Sequence, residues 1–125
     1  DRVILESNKK AKNINNKALQ ICSTNPMTGY FRDGYCHTDE TDSGTHVVCA
    51  KVNKNFLDYT KKKGNDLSTP NSNFQGLKPG DNWCLCALRW NETYEVGKAP
   101  PVNLQATNLQ ATDFNIEKRL REFSL

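Results

Sequence analysis

Apolar and polar positions along this chain fall into short, separate patterns, and each predicts a modest element. Residues 1–16 are polar and rich in Asn and Lys. Apart from Val3-Ile4-Leu5 they show no period, so they predict a flexible polar arm ahead of a domain at 17–125. Ala18-Leu19-Gln20-Ile21-Cys22 puts Leu19 and Ile21 on one face and predicts a short strand. Tyr30-Phe31-Arg32 and Tyr35-Cys36-His37 flank Asp33-Gly34, a hairpin signal because Asp and Gly accept positive φ. His46 to Val52 is β-branched and apolar, a second strand. Asn53 is placed to cap a helix over 54–63, with Phe56, Leu57 and Thr60 inside and Gly64 as its stop.

From 65 to 80 the chain reads as a loop, long enough to suggest a functional role. Pro79-Gly80 suits a type II turn that feeds a central strand from Trp83 to Leu88. A short helix over 90–95 follows. Val102 to Ala106 alternates as a third strand, and Ile116, Leu120 and Phe123 sit at helical spacing behind Asp113 as a cap. The pentad Asn-Leu-Gln-Ala-Thr occurs at both 103–107 and 108–112, too short to count as a repeat unit. The pattern as a whole predicts an α+β fold: a small mixed or antiparallel sheet with helices packed on one side, in a single domain.

Composition narrows the classes. The chain has 125 residues, 36% hydrophobic and 25% charged. No apolar run reaches the ~18 residues of a membrane helix, so no membrane association is expected. The start, Asp1 to Leu5, is too short and too soon followed by Lys9, Lys10 and Lys12 to read as a secretory signal. The net charge of +3 is spread along the chain rather than gathered into a basic face, so no nucleic-acid partner is expected. Five cysteines cannot all pair within one chain, and a bond between Cys84 and Cys86 would close a strained ring. Reduced cysteines and a cytoplasmic location are the expectation. Asp39-Glu40-Thr41-Asp42-Ser43-Gly44 mimics the start of a calcium-binding EF-hand loop, but Ala50 stands where the bidentate Glu belongs.

Three long stretches carry a family resemblance. They are Cys22-Ser23-Thr24-Asn25-Pro26-Met27-Thr28-Gly29-Tyr30-Phe31-Arg32-Asp33-Gly34, then Gly64-Asn65-Asp66-Leu67-Ser68-Thr69-Pro70, then Gly76 to Cys86 with Arg89-Trp90. Ala99-Pro100-Pro101-Val102 continues the pattern. The chain from Leu19 to Phe123 resembles the domain-of-unknown-function family twenty-two thirty-seven, found in bacteria and plants. The resemblance implies a single-domain protein, cytosolic or organellar, and brings no catalytic assignment.

Candidate chemistry lies in three constellations. On a strand Cys84 and Cys86 share one face. They could hold zinc with Cys49 and His46, or with Cys36 or His37, although His46 and Cys49 face apart on a regular strand. A catalytic thiol needs a histidine and an orienting group: Cys84, Cys86 and His46 are the candidates, with Asp42 or Asp81 to orient. Whether His46 approaches either cysteine depends on strand order. A polar set, Arg32, Asp66, Asp81, Arg89 and Trp90, could line a pocket for a small polar or anionic ligand, an arginine serving as anchor. The expected function is small-ligand binding or catalysis in a thiol-lined pocket. The alternatives are a non-catalytic interaction or structural domain and a zinc-binding protein. No cofactor is expected unless it is zinc.

Overall fold

Two apolar segments far apart in sequence make the centre of the molecule. The computed structural model describes residues 11–125. Strand β1 is His46–Lys51 and strand β2 is Asn82–Cys86. They pair antiparallel, with Val48 opposite Leu85, Cys49 opposite Cys84 and Ala50 opposite Trp83. Between them lies helix α1, Lys54–Lys62, capped as the pattern requires: the Asn53 side chain accepts from the Phe56 amide. Phe56, Leu57 and Thr60 are its buried stripe. The turn before β2 forms at Lys78 to Asp81, where the Asp81 amide donates to Lys78 O at 3.0 Å. Gly80 there takes φ 99°, which a side chain would oppose.

Strand β2 is shorter than expected. At Ala87 the chain turns directly into helix α2, Ala87–Glu95, which buries Ala87, Trp90 and Thr93. The last helix is α3, Glu117–Glu122. Among the described residues the sheet has two strands, and helices pack around it, an α+β arrangement. Val47, Val48, Phe56, Leu85, Trp90, Val102 and Leu120 form one core cluster. None of the described helices is long and apolar enough to cross a membrane.

Several expected elements take other forms. The strand predicted at 18–22 shrinks to a bridge between Lys12 and Ala18, and no strand forms on either side of Asp33-Gly34. The third strand is reduced to bridges at Val102, to Ala50 and to Ser124. Its alternation ends because Asn103 caps a 3-10 turn, Leu104–Ala106, through the Gln105 amide. Asn108 caps a second one, Leu109–Phe114, through the Gln110 amide. The duplicated pentad is therefore a structural unit after all, an Asn-capped turn used twice. Asn115, in the left-handed region at φ 60°, then separates this tract from α3, so the predicted helix starts late.

The arm reading fails over its last part. Ile14 is core, its amide donates to Thr107 O at 3.0 Å, and Asn13 forms a bridge with Asn108. Val3-Ile4-Leu5 and the rest of 1–10 lie outside the described residues.

The cysteines are not reduced. Cys22 is bonded to Cys49 and Cys36 to Cys84, leaving Cys86 as the free thiol among the described residues. An odd count forbids complete pairing but permits two bridges, and the partners lie 27 and 48 residues apart, beyond the reach of local spacing. The argument from reduced thiols to a cytoplasmic location falls with it.

Candidate functional site

The free thiol sits at a junction. Cys86 is the last residue of β2 and the residue before the first turn of α2. A helix start leaves its first amides without helical acceptors and favours negative charge. The Ala87 amide is used on Thr45 O at 3.2 Å; those of Leu88 and Arg89 have no carbonyl within the helix to bond.

Across the ladder, Cys86 is the register partner of His46. The register shifts between His46 and Val48, so Val47 is a bulge residue, and its carbonyl is taken by the Asn108 amide at 2.9 Å. A bulge inserts one residue and moves what precedes it to the other face. It therefore puts His46 on the face of Cys49, Cys84 and Cys86, which regular alternation would have denied it.

The loop before β1 orients that histidine. Asp42 has a side chain 1% exposed, and its Oδ1 lies 2.8 Å from His46 Nδ1. Its Oδ2 accepts from the His46 amide at 2.9 Å and the Thr38 hydroxyl at 3.0 Å. Burial alone would raise the Asp42 carboxyl; the hydrogen bonds from the His46 amide, the His46 ring and Thr38 together outweigh it and hold the group below its ordinary value of 3.8. An ionised carboxylate only accepts, so Nδ1 carries a proton, and whenever the ring is neutral it is Nε2 that offers the lone pair. The Tyr30 ring lies parallel to the imidazole, centroids 6.5 Å apart.

Gly44 completes the setting. A Cβ there would lie 2.5 Å from His46 Cε1 and 3.0 Å from Nε2, so a side chain at this position requires the ring to shift. Gly44→Ala is expected to lower the melting temperature by several degrees, about 1 kcal/mol for a weakened Asp42–His46 bond, while slowing any His46-dependent reaction of Cys86 severalfold. Unchanged reactivity would show that the ring accommodates the methyl without losing its place.

His46 and Cys86 both line an open cleft of about 760 Å³, whose other walls include Arg32, Asp66, Arg89, Phe74 and Trp83. Trp83 forms an aromatic floor: Phe74 is tilted against it at 5.2 Å, and the Arg32 guanidinium lies 5.1 Å from its centroid. Asp66 turns its carboxylate onto its own loop. The Thr69 hydroxyl, ahead of the Thr69 and Ser68 amides, holds that carboxyl below its ordinary value. Arg89 reaches Glu92 at 3.5 Å and Lys63 O at 3.4 Å.

The remaining sequence candidates lie elsewhere. Asp81 is a turn residue, accepting from the Lys78 amide at 2.9 Å, and it lines no part of this cleft. Trp90 is fully buried, its indole donating to Pro100 O at 3.1 Å, so it is core rather than ligand surface. Cys84 borders the cleft but is bonded to Cys36. His37 pairs with Asp33 at 2.8 Å and opens on a separate hollow beside Asn108 and Asp113.

Zinc does not fit these residues. Of the set Cys84, Cys86, Cys49 and His46, two cysteines are in disulfides, and a cysteine ligates zinc only as a thiolate, so two donors of the four remain. The ligand atoms of Cys22, Cys36 and Cys49 do lie within 4.8 Å of one another, a crowding that follows from two bridges side by side on paired residues 49 and 84. Sequence reasoning named Cys86 and His46, with Asp42 or Asp81 to orient, but could not say whether His46 approaches the thiol. Tyr30 and Gly44 escaped it, and only the Asp42–His46 spacing of four hinted at the local pair.

A family model described as an uncharacterized protein conserved in bacteria (DUF2237) matches residues 12–124. No curated protein matches the chain.

Proposed function

The chain belongs to this uncharacterised bacterial family, which brings no activity with it, and we propose from the site alone that it is a thiol-dependent acyl-transfer enzyme. Cys86 is the nucleophile, His46 the general base and Asp42 the group that orients the imidazole. The observation that carries this reading is the cross-strand pairing of the free Cys86 with a histidine whose Nδ1 is tied to a buried carboxylate. Nucleophile, base and orienting acid in that order are the recurrent arrangement for covalent catalysis. A nucleophile at a strand-to-helix turn is also a recurrent placement.

The chemistry balances within these groups. The Cys86 thiol proton passes to His46 Nε2 as sulfur bonds to the substrate's carbonyl carbon. The bond from that carbon to the leaving group then breaks, and the leaving atom takes the proton from Nε2. Water attacks the thioester by the same path, giving a proton to Nε2 that returns to sulfur. The Arg89 amide, in the first turn of α2 on a residue that lines the cleft, is the donor this reading assigns to the developing oxyanion; one such donor contributes roughly 3–4 kcal/mol in known hydrolases.

The test uses 4-nitrophenyl acetate as an acyl probe. Nitrophenolate release with acetylation at Cys86 is expected, lost in Cys86→Ala and slowed at least tenfold in His46→Ala. A wild-type rate no greater than that of a small free thiol, and indifferent to His46→Ala, would overturn the enzyme reading in favour of an interaction domain.

A further inference from the structure

We infer that the acyl substrate carries a carboxylate, received by Arg32; the inference rests on the reading of Cys86 as nucleophile. Among the described residues Arg32 makes no ion pair. One guanidinium nitrogen donates to Gly29 O at 2.5 Å, which anchors the group and leaves its other donors unclaimed. The charge lies over the Trp83 ring at 5.1 Å, in the cleft that also contains Cys86 and His46. The residue adopts φ 56°, an uncommon conformation for a side chain other than Gly, Asn or Asp. Strain of this kind persists where the surroundings fix it.

Among the described residues no acid in the cleft neutralises this charge. Asp66 is committed to its own turn through Ser68 and Thr69, and Asp42 is committed to His46 and Thr38. Arg89 has Glu92 beside it. One uncompensated guanidinium matches one negative charge, and its planar fork suits the two oxygens of a carboxylate. A phosphate dianion would bring a second charge, and the other cleft cation among the described residues, Arg89, already has Glu92 beside it. The Trp83 floor with Phe74 accommodates the apolar body of such a ligand, as ligand clefts with few polar groups commonly do.

The experiment compares alkylation of Cys86 by iodoacetate and by iodoacetamide, probes alike except for the carboxylate. Each forms a carbon–sulfur bond and releases iodide. The rate ratio of iodoacetate to iodoacetamide at Cys86 is expected to exceed that of glutathione about tenfold. Arg32→Gln should return it at least fivefold toward the glutathione value, and Arg32→Lys should keep part of the preference. A wild-type ratio equal to that of glutathione overturns the inference without any variant, and so does an elevated ratio unmoved by Arg32→Gln. The nitrophenyl acetate assay fails independently if Cys86 is no acyl acceptor, so the two conclusions fall separately.

Discussion

Opening the Cys36–Cys84 bridge is expected to destabilise the protein by about 4 kcal/mol and the Cys22–Cys49 bridge by about 3.5 kcal/mol, from the chain entropy of loops of 48 and 27 residues. Small domains are stable by roughly 5–15 kcal/mol, so loss of both bridges consumes most of that margin. The structure says where the loss falls first. Residues 19–45 contain no helix or strand, and their fold depends on Cys22 and Cys36 being tied to register neighbours Cys49 and Cys84 on the central ladder. A few backbone bonds assist, such as the Cys22 amide to Gly34 O at 2.7 Å. Cys36→Ala/Cys84→Ala should therefore melt about 10–20 °C below the wild type, and excess dithiothreitol should lower the wild-type melting temperature further still. Amide exchange should quicken over 19–45 before it does in β1. A melting temperature indifferent to reductant would show that the core holds this segment unaided.

The same bridges explain why some of this molecule was legible in sequence and some was not. Local rules worked where the deciding contacts are local. Asn53 caps α1 because its side chain needs only the amide three residues on, and Lys78 to Asp81 turns because Pro79 and Gly80 set its angles. The strand pair was legible as two apolar runs. Its register was not, because nothing in either run says that Cys49 faces Cys84 or that His46 faces Cys86. Sulfur pairing follows from that register, so an expectation built on cysteine count and spacing alone came out as reduced thiols.

The site illustrates a second kind of loss. Period-two reasoning correctly put Cys84 with Cys86 and correctly noted that His46 and Cys49 face apart on a regular strand. The Val47 bulge breaks the rule at that point, and it is held by Asn108 from 61 positions away in the chain. Bulges of this kind re-aim side chains next to functional sites, and their determinants are tertiary. Trp90, named with the polar set as a pocket residue, is lost for the opposite reason: the α2 period turns it inward onto Tyr94 and Phe123.

Asp42→Asn separates orientation of the base from its presence. The carboxylate accepts three hydrogen bonds, one at Oδ1 and two at Oδ2, whereas an amide offers one oxygen and an NH2 group. If the Asn oxygen keeps Thr38 and the His46 amide, its NH2 faces Nδ1 and the ring must carry its proton on Nε2, where Cys86 needs a base. Nitrophenolate release should then fall about ten- to a hundredfold, with His46 still in place; the same exchange in a serine-protease triad is known to act through the tautomer. If the oxygen turns to Nδ1 instead, the half-buried His46 amide loses its acceptor, at about 1 kcal/mol. Stability against pH distinguishes the wild type from this variant. A carboxyl held below 3.8 in the folded state contributes stability that is complete above that value and is lost as pH falls through the lower, folded value. The wild type should thus lose stability below about pH 4 by a component the Asn variant lacks, measured as the difference between their denaturant midpoints at pH 6 and pH 3. Full activity with an unchanged acid limb in Asp42→Asn would remove Asp42 from the site and leave Cys86 and His46 as a pair without an orienting acid.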